Sequence, residues 1–150
     1  MATPDKLKIL ILDDEKQFTE ELGDFFLNSA FESFQANTVE DGKQILKDRE
    51  INILFLDLRL PGIDGLDVLK EVKQLYPQIE VIIVSAHADM DTVQKSIQLG
   101  AFDYLRKPFR YIDIQIILER VTKYMQMQQK LTELEKQVGE LSKLMKTKTR

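Results

Sequence analysis

The stretch Ile53-Leu54-Phe55-Leu56-Asp57-Leu58-Arg59-Leu60-Pro61-Gly62 constrains this chain more than any other. From Ile51 to Leu56 only Asn52 interrupts an apolar run. Apolar character at nearly every position reads as a strand covered on both faces, as in parallel sheets. The run ends on a carboxylate, Asp57, and four residues later Pro61-Gly62 turns the chain. A carboxylate at the end of a buried strand is costly unless something there uses or solvates it.

The same sentence structure recurs along the chain. Leu7-Lys8-Ile9-Leu10-Ile11-Leu12 stops at Asp13-Asp14, and a helix from Glu15 to about Asn28 follows with Phe18, Leu22, Phe25 and Phe26 at helical spacing. A short strand around Phe34–Asn37 leads to Thr38, an N-cap for a helix carrying Val39, Ile45 and Leu46. After Asp57, Asp64 caps a helix over Gly65–Leu75 with Leu66, Leu69, Val72 and Leu75 inward. Glu80–Val84 is the next strand and ends at Ser85. A helix starting at Asp89 or Asp91 runs through Val93, Ile97 and Leu99 and closes at Gly100. The last strand, about Phe102 to Leu105, ends at Arg106-Lys107-Pro108.

Five strands alternating with helices predict an α/β fold, a doubly wound parallel sheet with right-handed crossovers. Ligands in such folds bind beyond the carboxyl ends of the strands. To that edge strand one brings Asp13 and Asp14, strand three Asp57, strand four Ser85 and strand five Lys107. Converging carboxylates repel by about 4 kcal/mol per pair at 4 Å and an effective dielectric near 20. A hard divalent cation removes that cost, and magnesium suits a site of few carboxylates and retained waters. With Lys107 to pair an anion and Ser85 to donate to an oxygen, the set describes phosphoryl transfer onto Asp57.

Asp13-Asp14, Asp57 with Pro61-Gly62 behind it, Ser85-Ala86, and Lys107-Pro108 preceded by Tyr104 resemble the receiver domain of two-component response regulators. The resemblance covers residues 7 to about 121. It implies the flavodoxin/CheY-like strand order 2-1-3-4-5 and a cis peptide bond before Pro108. It implies that Asp57 accepts a phosphoryl group from a phosphohistidine on a sensor histidine kinase. Asp13, Asp14, Asp57 and the backbone carbonyl of Arg59 would hold Mg2+, and Lys107 would pair with the acyl phosphate. Ser85 would close on the phosphoryl oxygen, with Tyr104 moving inward behind it as the second switch residue. His87, the single histidine, falls at the rim. The protein is then a phosphoacceptor that takes part in its own phosphorylation and dephosphorylation, not an enzyme with a separate substrate.

Singly, each residue has an ordinary reading: Asp13-Asp14 as a helix cap, Asp57 as a solvated strand end, Lys107 as a surface lysine, Ser85 as turn chemistry, Tyr104 as a core aromatic. Two rival functions share the acid set. A magnesium-dependent phosphohydrolase with an aspartyl nucleophile generally carries a second acid two residues on, where this chain has Arg59. A pseudo-receiver serving only dimerisation predicts no response to phosphoryl donors.

From Tyr111 to about Met145 there is no proline and one glycine, Gly139. The start of this segment, with Ile112, Ile116, Ile117 and Val121, is expected to pack on the sheet. Farther on, Ile117, Tyr124, Leu131, Val138 and Met145 repeat every seven residues, with Met127, Leu134 and Leu141 between them. That spacing is a coiled-coil seam. It places Lys130 at g and Glu135 at the following e, which attract across a parallel homodimer. The alternative is a helix that docks on a further domain. The expected organisation is a receiver over residues 1–121 and a helical linker over 122–150. The layout is most like receivers that precede a sigma-54 activator ATPase, although receivers ahead of phosphatase or cyclase outputs share it, and the chain reads as an isolated regulatory fragment.

Charge and composition narrow the partners. Residues 126–150 hold six Lys or Arg against three Glu, so with a total of −4 the first 125 residues carry −7. An acidic body disfavours direct nucleic-acid binding. The absence of cysteine excludes disulfides and thiolate metal sites. No signal pattern opens the chain and no apolar run approaches the ~20 residues of a membrane span. The expected location is the cytoplasm.

Overall fold

The computed structural model describes residues 6–87 and 89–148. The chain forms two compact units, residues 1–109 and 110–150. The outermost residues of the expected 1–121 and 122–150 segments, 1–5 and 149–150, lie outside the described residues.

In the first unit β1 (Leu7–Leu12), β2 (Phe31–Ala36), β3 (Ile53–Leu56), β6 (Glu80–Ser85) and β7 (Asp103–Arg106) form one sheet. Its order is β2-β1-β3-β6-β7, all parallel, which is 2-1-3-4-5 counting sheet strands alone. Between the strands run α1 (Lys16–Phe26), α2 (Val39–Asp48), α3 (Gly65–Leu75) and α4 (Met90–Gln98). The remaining strands, β4 (Arg59–Leu60) and β5 (Ile63–Asp64), make a two-stranded hairpin that the sequence reading did not include. Pro61 and Gly62 form its turn, and Gly62 at φ +71° takes the left-handed backbone that a type II turn needs at that place.

Register follows from alternation. Leu10 and Leu12, Leu54 and Leu56, Val81 and Ile83 share one face with Val39 and Leu46 of α2 and Val68, Leu69 and Val72 of α3. On the opposite face, Phe26 of α1 stacks its ring 6.2 Å from that of Phe55. Because both faces are covered, Ile9–Ile11 and Ile53–Leu56 are buried at every position. The helix starts follow their caps: Thr38 Oγ1 accepts from Asp41 N at 3.1 Å, Asp64 Oδ1 from Leu66 N at 2.9 Å, Asp89 Oδ1 from Thr92 N at 2.8 Å. Each satisfies an otherwise orphaned helical N–H.

Three expectations need correction. The second strand begins at Phe31, three residues before the apolar signal at Phe34, because it is an edge strand paired only with β1. Leu75 is 63% exposed, and Val68 takes the inward place, since the buried stripe of α3 follows Val68, Leu69 and Val72. In the second unit, α5 (Tyr111–Lys148) buries Ile114, Ile117, Leu118 and Val121, while Ile112 and Ile116 are about half exposed. The seam residues Tyr124, Met127, Leu131, Leu134, Val138, Leu141 and Met145 are all exposed on this helix.

Candidate functional site

The carboxyl ends of β1, β3, β6 and β7 meet at one edge of the sheet. Pairing of Leu12 with Leu56 sets Asp13 beside Asp57, and the amide of Asp57 donates to the Leu12 carbonyl at 3.0 Å. Carboxylate oxygens of Asp13, Asp14 and Asp57 lie within 4.8 Å of one another. Asp13 and Asp57 are buried, and Asp14 is exposed.

Asp13 is held on several sides. Its Oδ1 accepts from the Glu15 amide at 2.9 Å, and its backbone carbonyl accepts from the Asn37 side-chain amide, also at 2.9 Å. Asn37 donates in addition to Thr19 Oγ1 at 3.0 Å, which ties the acidic loop to α1. Asp57 Oδ1 accepts from the Arg59 amide at 3.0 Å. The backbone there turns tightly, because Gly65 N donates to the Leu58 carbonyl at 3.0 Å. A Cβ on Gly65 would run into the Leu58 backbone, so only glycine allows that approach beside the acids.

Lys107 follows the last strand, and its amide donates to the Ser85 carbonyl at 3.0 Å. The peptide bond to Pro108 is cis. Its ammonium donates to Asp13 Oδ2 at 2.5 Å and stands 3.5 Å from Asp57 Oδ2. It also lies 4.1 Å from the centroid of the Phe18 ring. Ser85 is buried, two residues beyond the Leu56–Ile83 pair, and its Oγ accepts from the His87 amide at 3.3 Å. The half-buried Tyr104 donates its hydroxyl to the Ser85 carbonyl at 3.0 Å, so Tyr104 and Lys107 share one acceptor. The His87 side chain is exposed at the rim.

The electrostatics favour an additional cation. Burial raises the Asp57 carboxyl above the ordinary aspartate range, and the charge of Asp13 acts in the same sense. The Arg59 amide and Lys107 pull it down without cancelling the rise. Burial by itself would lower Lys107. The hydrogen bond and charge of Asp13, with Asp57 and Glu15 behind, outweigh it and hold the ammonium above the usual lysine range. The Lys107 ammonium thus meets Asp13 and Asp57, two of the three clustered carboxylates.

The structure brings together all the polar residues expected at this edge. Helical spacing alone marks Phe18, and no signal along the chain marks Asn37 and Thr19 as braces of Asp13. A signal for Phe18 existed: it stands four residues after Asp14, one turn into the helix that the acids begin.

Known proteins resemble this chain in sequence and fold. The family described as the response regulator receiver domain matches residues 9–122. The DNA-binding transcriptional regulator NtrC of Escherichia coli strain K12 is 41% identical over 95 residues, 61% of this chain and 20% of that protein. This chain therefore spans about a fifth of the length of the NtrC proteins that it matches. Sporulation initiation phosphotransferase F of Bacillus subtilis is 35% identical over 118 residues, covering 79% of this chain and 93% of that one. Among solved structures, NtrX from Brucella abortus in complex with ADP superposes with TM-score 0.80 at 27% identity, over 86% of this chain and 30% of NtrX. The signal receiver domain of a LuxO repressor protein from Vibrio parahaemolyticus gives 0.77 at 25% identity, over 82% and 95%.

Proposed function

Because this chain belongs to the response regulator receiver family, with NtrC- and NtrX-type regulators among its relatives, we propose that Asp57 accepts a phosphoryl group from a phosphohistidine on a sensor histidine kinase. The observation that carries this reading is the meeting of three carboxylates within 4.8 Å, two of them beside the Lys107 ammonium. An all-oxygen, acid-rich donor set with one exposed member fits a hard divalent cation that keeps part of its water. Asp13, Asp14 and Asp57 would hold Mg2+, with the Arg59 carbonyl completing the protein donors. When bound, the ion neutralises charge around an incoming phosphoryl group.

The chain's own residues do the rest. A carboxylate oxygen of Asp57 forms the bond to phosphorus while the donor's N–P bond breaks, its electron pair staying on the imidazole. The Arg59 amide on Oδ1 orients the nucleophile, leaving Oδ2 on the Lys107 side. Lys107 exchanges part of its contact with Asp13 for the phosphoryl oxygens. The Ser85 hydroxyl turns to donate to that group, and Tyr104, bonded to the same residue's carbonyl, follows. The domain is a phosphoacceptor module, and the donor supplies the free energy.

Residues 1–121 act in this reading as the receiver and 122–150 as a helical linker. The exposed seam from Tyr124 to Met145 supports a parallel homodimer, in which phosphorylation alters dimer geometry or strength. The output would be of the sigma-54 activator type that the NtrC resemblance suggests, and the acidic body supports a protein partner over nucleic acid. Among the described residues no helix is long and apolar enough to cross a membrane, and cytoplasmic signalling fits that.

Native mass spectrometry and sedimentation with beryllofluoride plus Mg2+, on wild type and Asp57→Asn, test both parts. We expect an adduct that depends on Asp57 and a shift in the monomer–dimer balance. No adduct would overturn the phosphoacceptor role. An adduct without a shift would overturn the coupling to the dimer.

A further inference from the structure

The geometry points to Phe18 as a positioning residue for Lys107: its ring face holds the ammonium over the acid crevice. This rests on the phosphoacceptor reading and extends it to a side chain that touches neither phosphoryl group nor metal. Lysine carries a point charge on a flexible four-carbon stem, so something must fix where the charge sits. Three contacts do so here: Asp13 at 2.5 Å, Asp57 at 3.5 Å and the Phe18 ring at 4.1 Å from its centroid. That last distance is well inside the roughly 6 Å over which a ring face attracts a cation. With the Lys107 side chain only 13% exposed, the attraction is little screened by water.

The ring itself is braced. Phe18 meets Phe109 edge to face, centroids 5.8 Å apart and planes at 86°. Phe109 is two residues beyond Lys107, so the ring pair ties α1 to the lysine-bearing loop next to the ammonium. The ring contact also differs in kind from the carboxylate contacts. Both carboxylates change state in the proposed reaction, Asp13 by giving its charge to a metal ion and Asp57 by becoming an acyl phosphate. Phe18 has no charge to lose and no ligand to compete for it. It is the one contact that persists through the cycle, and it keeps Lys107 at hand when Asp13 lets go.

The test is the rate of phosphoryl uptake from phosphoramidate with Mg2+, by intact mass, in wild type, Phe18→Leu, Phe18→Trp, Lys107→Met and the Phe18→Leu/Lys107→Met double variant. The Lys107 side-chain resonances are recorded alongside. Phe18→Leu keeps an apolar side chain and removes the ring, so uptake should fall by about threefold to tenfold. The upfield ring shift of the Lys107 methylene protons should vanish with it. Phe18→Trp should restore both. In the Lys107→Met background the leucine substitution should change nothing further, since its effect passes through that lysine. Equal losses in both backgrounds, or unchanged uptake in Phe18→Leu, would overturn the inference. Failure of the underlying reading is separately visible, as wild-type protein that gains no Asp57-dependent phosphoryl mass.

Discussion

Replacing the phosphoacceptor with its neutral isostere, Asp57→Asn, should stabilise the metal-free protein at neutral pH. The Coulomb terms on Asp57 nearly cancel. Repulsion from Asp13, with oxygens no more than 4.8 Å away, is at least about 3.5 kcal/mol at an effective dielectric of 20, and attraction to Lys107 at 3.5 Å is about 4.7 kcal/mol. Asp14 is exposed, and screening limits its repulsion to about 1 kcal/mol or less. What remains is burial, since Asp57 is only 6% exposed and an ion in that setting loses several kcal/mol of hydration. The charge-assisted bond from the Arg59 amide returns about 1.5–3 kcal/mol. The balance is a penalty of about 1–3 kcal/mol for the ionised carboxylate, in agreement with the raised Asp57 pKa.

Asparagine keeps the shape and drops the charge. Thermal unfolding in EDTA at pH 7 should show a midpoint about 2–12 °C higher for Asp57→Asn, at 2–4 °C per kcal/mol for a domain of this size. The pH dependence has a definite sign. A carboxyl whose folded pKa is raised favours the native state fully below its unfolded pKa and loses that favour as pH rises through the folded value. The advantage of the variant should therefore be absent near pH 3.5 and grow toward neutrality. Magnesium should reverse the order, because it stabilises wild type by mass action and binds the variant poorly. An Asp57→Asn midpoint at or below that of wild type in EDTA at pH 7 would refute the reasoning.

Other outcomes can be checked alongside. Lys107→Met leaves Asp13 and Asp57 facing each other without their cation, so it should destabilise the metal-free protein by about 3–5 kcal/mol, with recovery on adding Mg2+ in the same denaturation series. Gly65→Ala drives a methyl into the Leu58 backbone and should cost about 1–3 kcal/mol, read as a lower urea midpoint at unchanged slope. Leu131→Glu with Leu134→Glu puts charge on the exposed seam of α5; sedimentation should show a weaker dimer and unchanged thermal stability of the monomer, because neither residue is buried in this chain.

Much of this protein was legible along one dimension. Parallel strands covered on both faces must be apolar at successive positions, so Ile9–Leu12, Ile53–Leu56 and Val81–Val84 announce themselves, and the polar residue that ends each run marks the working edge. Caps such as Thr38, Asp64 and Asp89 are local hydrogen-bond chemistry, readable a few residues at a time. The heptad spacing of α5 is equally a property of the string. Tertiary structure alone decided how these parts meet. Lys107 and Asp13 are 94 residues apart in sequence, and nothing in either segment says that the ammonium prefers Asp13 to Asp57 by 1 Å. The ring of Phe18 over Lys107, the Asn37 brace on Asp13 and the exposure of Leu75 are likewise products of register, twist and helix rotation. Periodicity reports which face a residue occupies, whereas a contact distance depends on how every intervening strand and helix packs, and that is settled only when the whole core closes.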